Sequence, residues 1–123
     1  MRSSALVTLL CNAGLKEAGY TFEQHSLADH EAMVQRLSAM IGAVITNNAV
    51  VTMIEDEAAH AIYLATLPGH FAHPSIAVRV LVARDGARTV QVRGFTAGEP
   101  AIMSAWLGQF RAQDELVRQS YGR

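Results

Sequence analysis

Two histidines stand three residues apart in the segment Pro68-Gly69-His70-Phe71-Ala72-His73-Pro74. An imidazole titrates near neutral pH, so either ring can act as a general base. Tyr63 comes shortly before this segment and Ser75 directly after it. His70 and His73 are therefore the candidate catalytic residues, and Tyr63 and Ser75 the candidate ligand-binding residues. A plainer reading stands beside this one. The prolines stiffen the backbone, and a stiff turn can spend its histidines on capping backbone groups or on solvent.

A second group, Glu55, Asp56, Glu57 and His60, has the donor types of a metal site. Strand geometry separates it from the first group. If residues 59–67 and 76–82 pair antiparallel, the 68–75 loop lies at one end of the sheet. His60 then falls at the other end, roughly 20 Å away by strand rise. No His-Glu-x-x-His run and no calcium-loop spacing occurs. No metal and no cofactor is expected, and the three acidic residues read as a solvated turn. Phosphate-binding glycine loops and the Gly-x-Ser-x-Gly nucleophile turn are missing as well.

The elements that would position these groups follow from periodicity. Residues 4–18 have a helical pattern, with Leu6, Leu9, Leu10 and Ala13 on one face. Tyr20-Thr21-Phe22 reads as a short extended or turn segment. Residues 27–45 give the clearest helix: Ser26 and Asp29 have capping-box spacing, and Met33, Val34, Leu37, Met40, Ile41, Val44 and Ile45 form one stripe. Thr46-Asn47-Asn48 is expected to end it.

Val50 to Ile54 reads as a strand, with Glu55-Asp56-Glu57 as the turn and Ala59 to Leu67 returning antiparallel. The rival is one helix over about 53–67, favoured by its alanines. Ile62-Tyr63-Leu64 and the Pro68-Gly69 stop favour strands.

Residues 76–94 form a hairpin around Arg84-Asp85-Gly86. A two-residue loop would set Val80 opposite Gln91, mixing polar and apolar side chains on one face. A three-residue loop sets Val80 opposite Val90 and Val78 opposite Val92, and is expected on that ground. Arg79, Leu81 and Arg93 then share the outer face, where the arginines are expected to meet carboxylates such as Asp56 or Glu57 of another subunit. A helix from about Pro100 to Arg118 closes the chain, with Met103, Trp106, Leu107, Phe110 and Val117 as its stripe.

The expected fold is α+β: one domain over 1–123, with a small antiparallel sheet of three or four strands covered on one face by two or three helices. The length of 123 residues permits one modest core. The lone Cys11 excludes an intrachain disulfide. No apolar run is long enough to span a membrane. A location in the cytoplasm is expected, with secretion as the minor alternative because a short apolar run follows Arg2.

Residues 1–60 carry a net charge of -4, from three basic and seven acidic side chains, and residues 61–123 carry +3, from seven and four. This split reads as solvated surface. With a total of -1, and without exposed aromatics on the arginine-bearing hairpin face, nucleic acid is not the expected partner.

The chain is 50% apolar and only 17% charged. One sheet face cannot cover three apolar helices, so a homodimer is expected to take up the excess. Two functions remain: a small interaction or structural protein acting through a homodimer surface, or a small hydrolase or ligand-binding protein that uses the His70/His73 loop, with a small-molecule ligand.

Overall fold

The computed structural model describes residues 18–40, 42–84 and 87–121. In chain order the elements are β1 (Ala18–Gln24), α1 (Leu27–Ser38), β2 (Val44–Asn47), β3 (Val51–Asp56), β4 (Ala61–Thr66), β5 (Ser75–Arg84), β6 (Ala87–Thr96) and α2 (Pro100–Tyr121). The helix expected over 4–18 falls outside the described residues except at Ala18, which belongs to β1.

The α+β class holds, but the sheet is larger than expected. It has six strands in the order β1-β6-β5-β4-β3-β2. The strands β2 to β6 form an antiparallel meander, and β1 joins the far edge parallel to β6. Two strands account for the difference. Tyr20-Thr21-Phe22 is the middle of β1 and pairs with Val92, Arg93 and Gly94. The helix expected to reach residue 45 stops at Ser38, and Val44 and Ile45 open β2.

The helix begins where its sequence predicts. Ser26 Oγ accepts a hydrogen bond from Asp29 N at 3.0 Å, satisfying one of the unpaired first-turn amides. Its end is set by Ala39, whose N–H turns back to the Gln35 and Leu37 carbonyls, and by Gly42 at φ +84°. Glycine adopts that left-handed conformation without a Cβ clash. Beyond it, the β-branched Val44, Ile45 and Thr46 favour an extended chain.

The segment 53–67 is two strands joined by a turn, not a helix, and Glu55 and Asp56 belong to β3 rather than to the turn. The reversal comes one step later. His60 N donates to Glu57 O, Ala59 N donates to Asp56 Oδ1, and His60 takes φ +51°.

The hairpin exists, but in the register that pattern matching rejects. Val80 stands opposite Gln91, Val82 opposite Thr89 and Arg84 opposite Ala87. The reason is that both sheet faces are covered, not one. On one face α1 lays Leu37, with Met33 and Val34, against Ile54, Ala61, Ala65, Ile76 and Val78. On the other, α2 lays Met103, Trp106 and Leu107 against Ala77 and Val92, with Tyr20, Phe22 and Leu64 around them. The valines of β5 thus face α1 while Val90 and Val92 lie on the α2 side. A 12-residue helix spans only about 18 Å. Gln91 and Arg93 lie on the α1 face of β6 without entering the core beneath that helix.

Arg79 is correspondingly turned inward. It does not sit on an outer face or meet a carboxylate of another subunit. It pairs with Asp114 of α2 within the same chain, at 2.7 Å. The sheet's second covered face also houses apolar side chains that a one-faced sheet would leave over.

Helix α2 approaches the sheet tightly at Gly94. A Cβ there would lie 2.1 Å from Met103 Cε and 3.0 Å from Phe22 Cβ. Met103 is fully enclosed, so its terminal methyl has little room to retreat. Replacing Gly94 with Ala is expected to destabilise the fold by about 1–3 kcal/mol in urea unfolding. Shortening the opposing side chain in the double variant Gly94→Ala/Met103→Ala is expected to cost less than the sum of the two single changes.

Candidate functional site

The sequence-predicted residues divide between the two sheet faces. Tyr63 lies on the α1 face of β4, opposite Ile54 and Val78. His70 and His73 sit in the loop between β4 and β5, with Ser75 at the start of β5. Tyr63 therefore does not join the other three: it is three residues up the strand, about 10 Å by strand rise, and on the opposite side from Thr66. His60 is at the far end of the sheet, in the β3–β4 turn, as its spacing requires.

What the loop does hold together is a chain of hydroxyls. Thr66 Oγ1 accepts from Ser75 N at 2.9 Å and lies 3.0 Å from Ser75 O and 2.8 Å from His73 Nδ1. A hydroxyl has one proton and two lone pairs. All three contacts are satisfied when Thr66 donates to Ser75 O and His73 donates through Nδ1–H. Ser75 Oγ in turn donates to the Ala72 carbonyl and meets Thr96 Oγ1 at 2.7 Å, and Thr96 Oγ1 accepts from Gly98 N at 3.0 Å. Ser75 is completely enclosed. Its hydroxyl closes the loop onto the sheet and does not front a cavity.

His70 is likewise engaged. Its Nδ1 accepts from Ala72 N at 3.0 Å, which leaves the ring proton on Nε2. The ring stacks on Phe71 and stands edge-on to Trp106, with centroids 5.0 and 4.8 Å away. Burial first, and the charge of His73 second, lower its pKa from the ordinary 6.5. Trp106 belongs to the core, as its helical stripe predicts.

Two further histidines, not singled out from sequence, reach the same end of the molecule. His25 follows β1, and its N–H donates to Thr96 O at 2.9 Å. His30 is in the first turns of α1 and is 4% exposed. Its ring stands edge-on to both His25 and His73, with centroid separations of 5.8 Å to each. His25 also stacks against Phe95. Desolvation lowers the pKa of His30, and the charges of His25 and His73 lower it further. The signal for His30 was present in the sequence: positions 30, 33, 34 and 37 fall on one helical stripe, which places the imidazole on the buried side.

The three rings do not build a metal centre. Among the described residues, no group of three or more His, Cys, Asp or Glu side chains is placed to hold a metal ion. No helix among those residues is long and apolar enough to cross a membrane.

On the α1 face, Tyr63 borders a different feature. A cleft of about 230 Å³ runs between α1 and the sheet, lined by Met33, Tyr63, Val78, Val80, Arg93 and Phe95 among others. Arg93 is exposed at its rim and donates to the neutral Gln91 amide at 2.8 Å.

Comparison with protein-family models, with curated proteins and with solved structures finds no match.

Thr66 is the hub of the loop. Thr66→Val keeps the shape and removes the hydroxyl, leaving the enclosed Ser75 N–H without its acceptor. Thermal or urea unfolding is expected to report a loss of about 1–3 kcal/mol.

Proposed function

We propose that the protein is a small interaction module that works as a homodimer, with β2 as the joining edge. The observation that carries this reading is the character of that strand. All four residues of Val44–Asn47 are exposed, and Val44 and Ile45 keep 45% and 43% of their surface in solvent. Their side chains project to opposite faces, since Ile45 pairs with the core residue Ile54 and Val44 with Glu55. An apolar edge strand presents unpaired N–H and C=O groups and is a template for another strand.

A second copy is the occupant that matches it without further requirements. Antiparallel pairing of one edge with itself has a two-fold axis, and each residue's main chain finds its complement in the same strand. The other edge is less suited. Thr21, Glu23 and Gln24 of β1 are exposed there, and a self-pairing centred on Glu23 would bring two carboxylates together, which is unfavourable.

Pairing through a four-residue strand gives a small contact. It falls below about 1,200 Å² and so implies a weak, concentration-dependent dimer. Sedimentation velocity over a dilution series is expected to show a shift from dimer to monomer. Ile45→Lys is expected to leave only the 13.3 kDa monomer with unchanged secondary structure. A wild-type chain that stays monomeric at about 1 mM defeats this reading.

A second reading, small-molecule binding, is supported by the cleft beside Tyr63. Its lining is mostly apolar, Tyr63 is part of it, and the exposed Arg93 borders it. That combination suits a small apolar carboxylate, whose tail replaces water on the walls and whose oxygens meet the fork of Arg93. Octanoate titrated into the protein is expected to perturb amides of β4, β5 and β6, and octanol to bind more weakly. Arg93→Gln is expected to remove the difference. Equal affinity for octanoate and octanol in the wild type would count against the proposed carboxylate anchor.

A further inference from the structure

The three-histidine group under the first turns of α1 has no part in either reading above, and its geometry is costly. His30 is enclosed between His25 and His73, and the buried atoms His30 Nδ1 and His25 Nε2 find no hydrogen-bond partner among the described residues. An unpartnered buried polar atom weakens the fold, and a charged one weakens it more. We propose that His30, enclosed between His25 and His73, is an acid-released latch: the neutral ring holds α1 on the sheet, and its protonation frees the helix.

The surroundings of His30 offer a proton no compensation. From the segment before α1 comes His25, and from the β4–β5 loop comes His73, both of the same sign when charged. Phe95 of β6, stacked on His25, is neutral. Asp29 and Glu31 flank His30 in the chain but are exposed, and among the described residues no carboxylate acts on its pKa. The ring also sits near the positive end of the α1 dipole, which further opposes an imidazolium. Behind it, His73 is fixed by Thr66, so it cannot swing away without breaking the hydroxyl chain.

The direction of the effect follows from linkage. Folding lowers the His30 pKa, so below the ordinary value of 6.5 the released state takes up a proton that the docked state resists. Stability is complete above that value and falls as pH drops through it, by up to tenfold in the docking equilibrium per pH unit for each such proton. Because His30 is on the same stripe as Met33, Val34 and Leu37, release lifts all three from Ile54, Ile76 and Val78. What appears in acid is an apolar sheet face.

Amide hydrogen exchange at about pH 7.5 and about pH 5.5, corrected for the chemical rate, tests this. Amides of residues 31–38 are expected to lose protection severalfold, up to about tenfold, at the lower pH, while those of β6 and α2 keep theirs. His30→Phe fills the site without a titrating group and is expected to abolish the loss. His25→Phe removes one neighbouring charge and is expected to move the release to lower pH, which keeps the test open if His30→Phe does not fold. The proposal is overturned by equal loss across all elements, by no loss in the wild type, or by a release pH that neither substitution moves.

Discussion

A buried ion pair fixes how the two layers of the α2 face meet. Arg79 of β5 reaches Asp114 of α2 through both guanidinium nitrogens, at 2.7 and 3.3 Å, with side chains only 15% and 11% exposed. Tyr20 of β1 donates its hydroxyl to the same carboxylate. Burial, then the hydrogen bond and charge of Asp114, raise the Tyr20 pKa to about 12, so the phenol remains a donor at any ordinary pH. Arg111 lies over the Tyr20 ring, 4.9 Å from its centroid. One carboxylate thus joins an interior strand, an edge strand and a helix. Such a pair adds little over apolar packing, but removing one partner strands the other charge at a cost of about 3–5 kcal/mol. Its value here is positional, since it specifies which strand lies beside β6 and which part of α2 crosses it.

This arrangement explains what was legible in the sequence and what was not. The Ser26 cap, the Pro100 start of α2 and the hairpin depend on neighbours in the chain, and local pattern suffices for them. The identity of β1 does not. Tyr20 and Phe22 become strand residues because β6 is there to pair with and α2 to cover them. Residues 44 and 45 continue the spacing of the α1 stripe, and what separates a helix from an edge strand is the cap at Ala39, the backbone freedom of Gly42 and the β-branched run after it. The hairpin register fails for a related reason. Matching Val78 and Val80 to Val90 and Val92 is sound when one face is buried and misleading when two are. Val90 and Val92, each at most 1% exposed, are satisfied on the opposite side of the sheet from Val78.

The candidate site was half visible. Its prolines and paired histidines mark the loop at 67–74, and strand rise alone places His60 far from it. Spacing does not show that the Ser75 hydroxyl is spent on Ala72 and Thr96, or that Tyr63 looks into the other face. The buried stripe position of His30 was readable, but its meeting with His25 and His73 was not, because His73 lies more than forty residues away in the chain and is reached only through the packing of a helix against a sheet.

The notch at Gly94 has a mechanical consequence. Met103 sits in it as a peg, and Asp114 is held by Arg79 eleven residues further on, about 16 Å along the helix axis. A rod fastened at two separated points can neither slide along its support nor pivot on it. The helix is therefore indexed to the sheet in position and heading at once, while α1 on the opposite side has a histidine contact in its first turns and an apolar stripe thereafter. One side of this molecule is bolted and the other is only seated, so any motion that the fold allows belongs to the second.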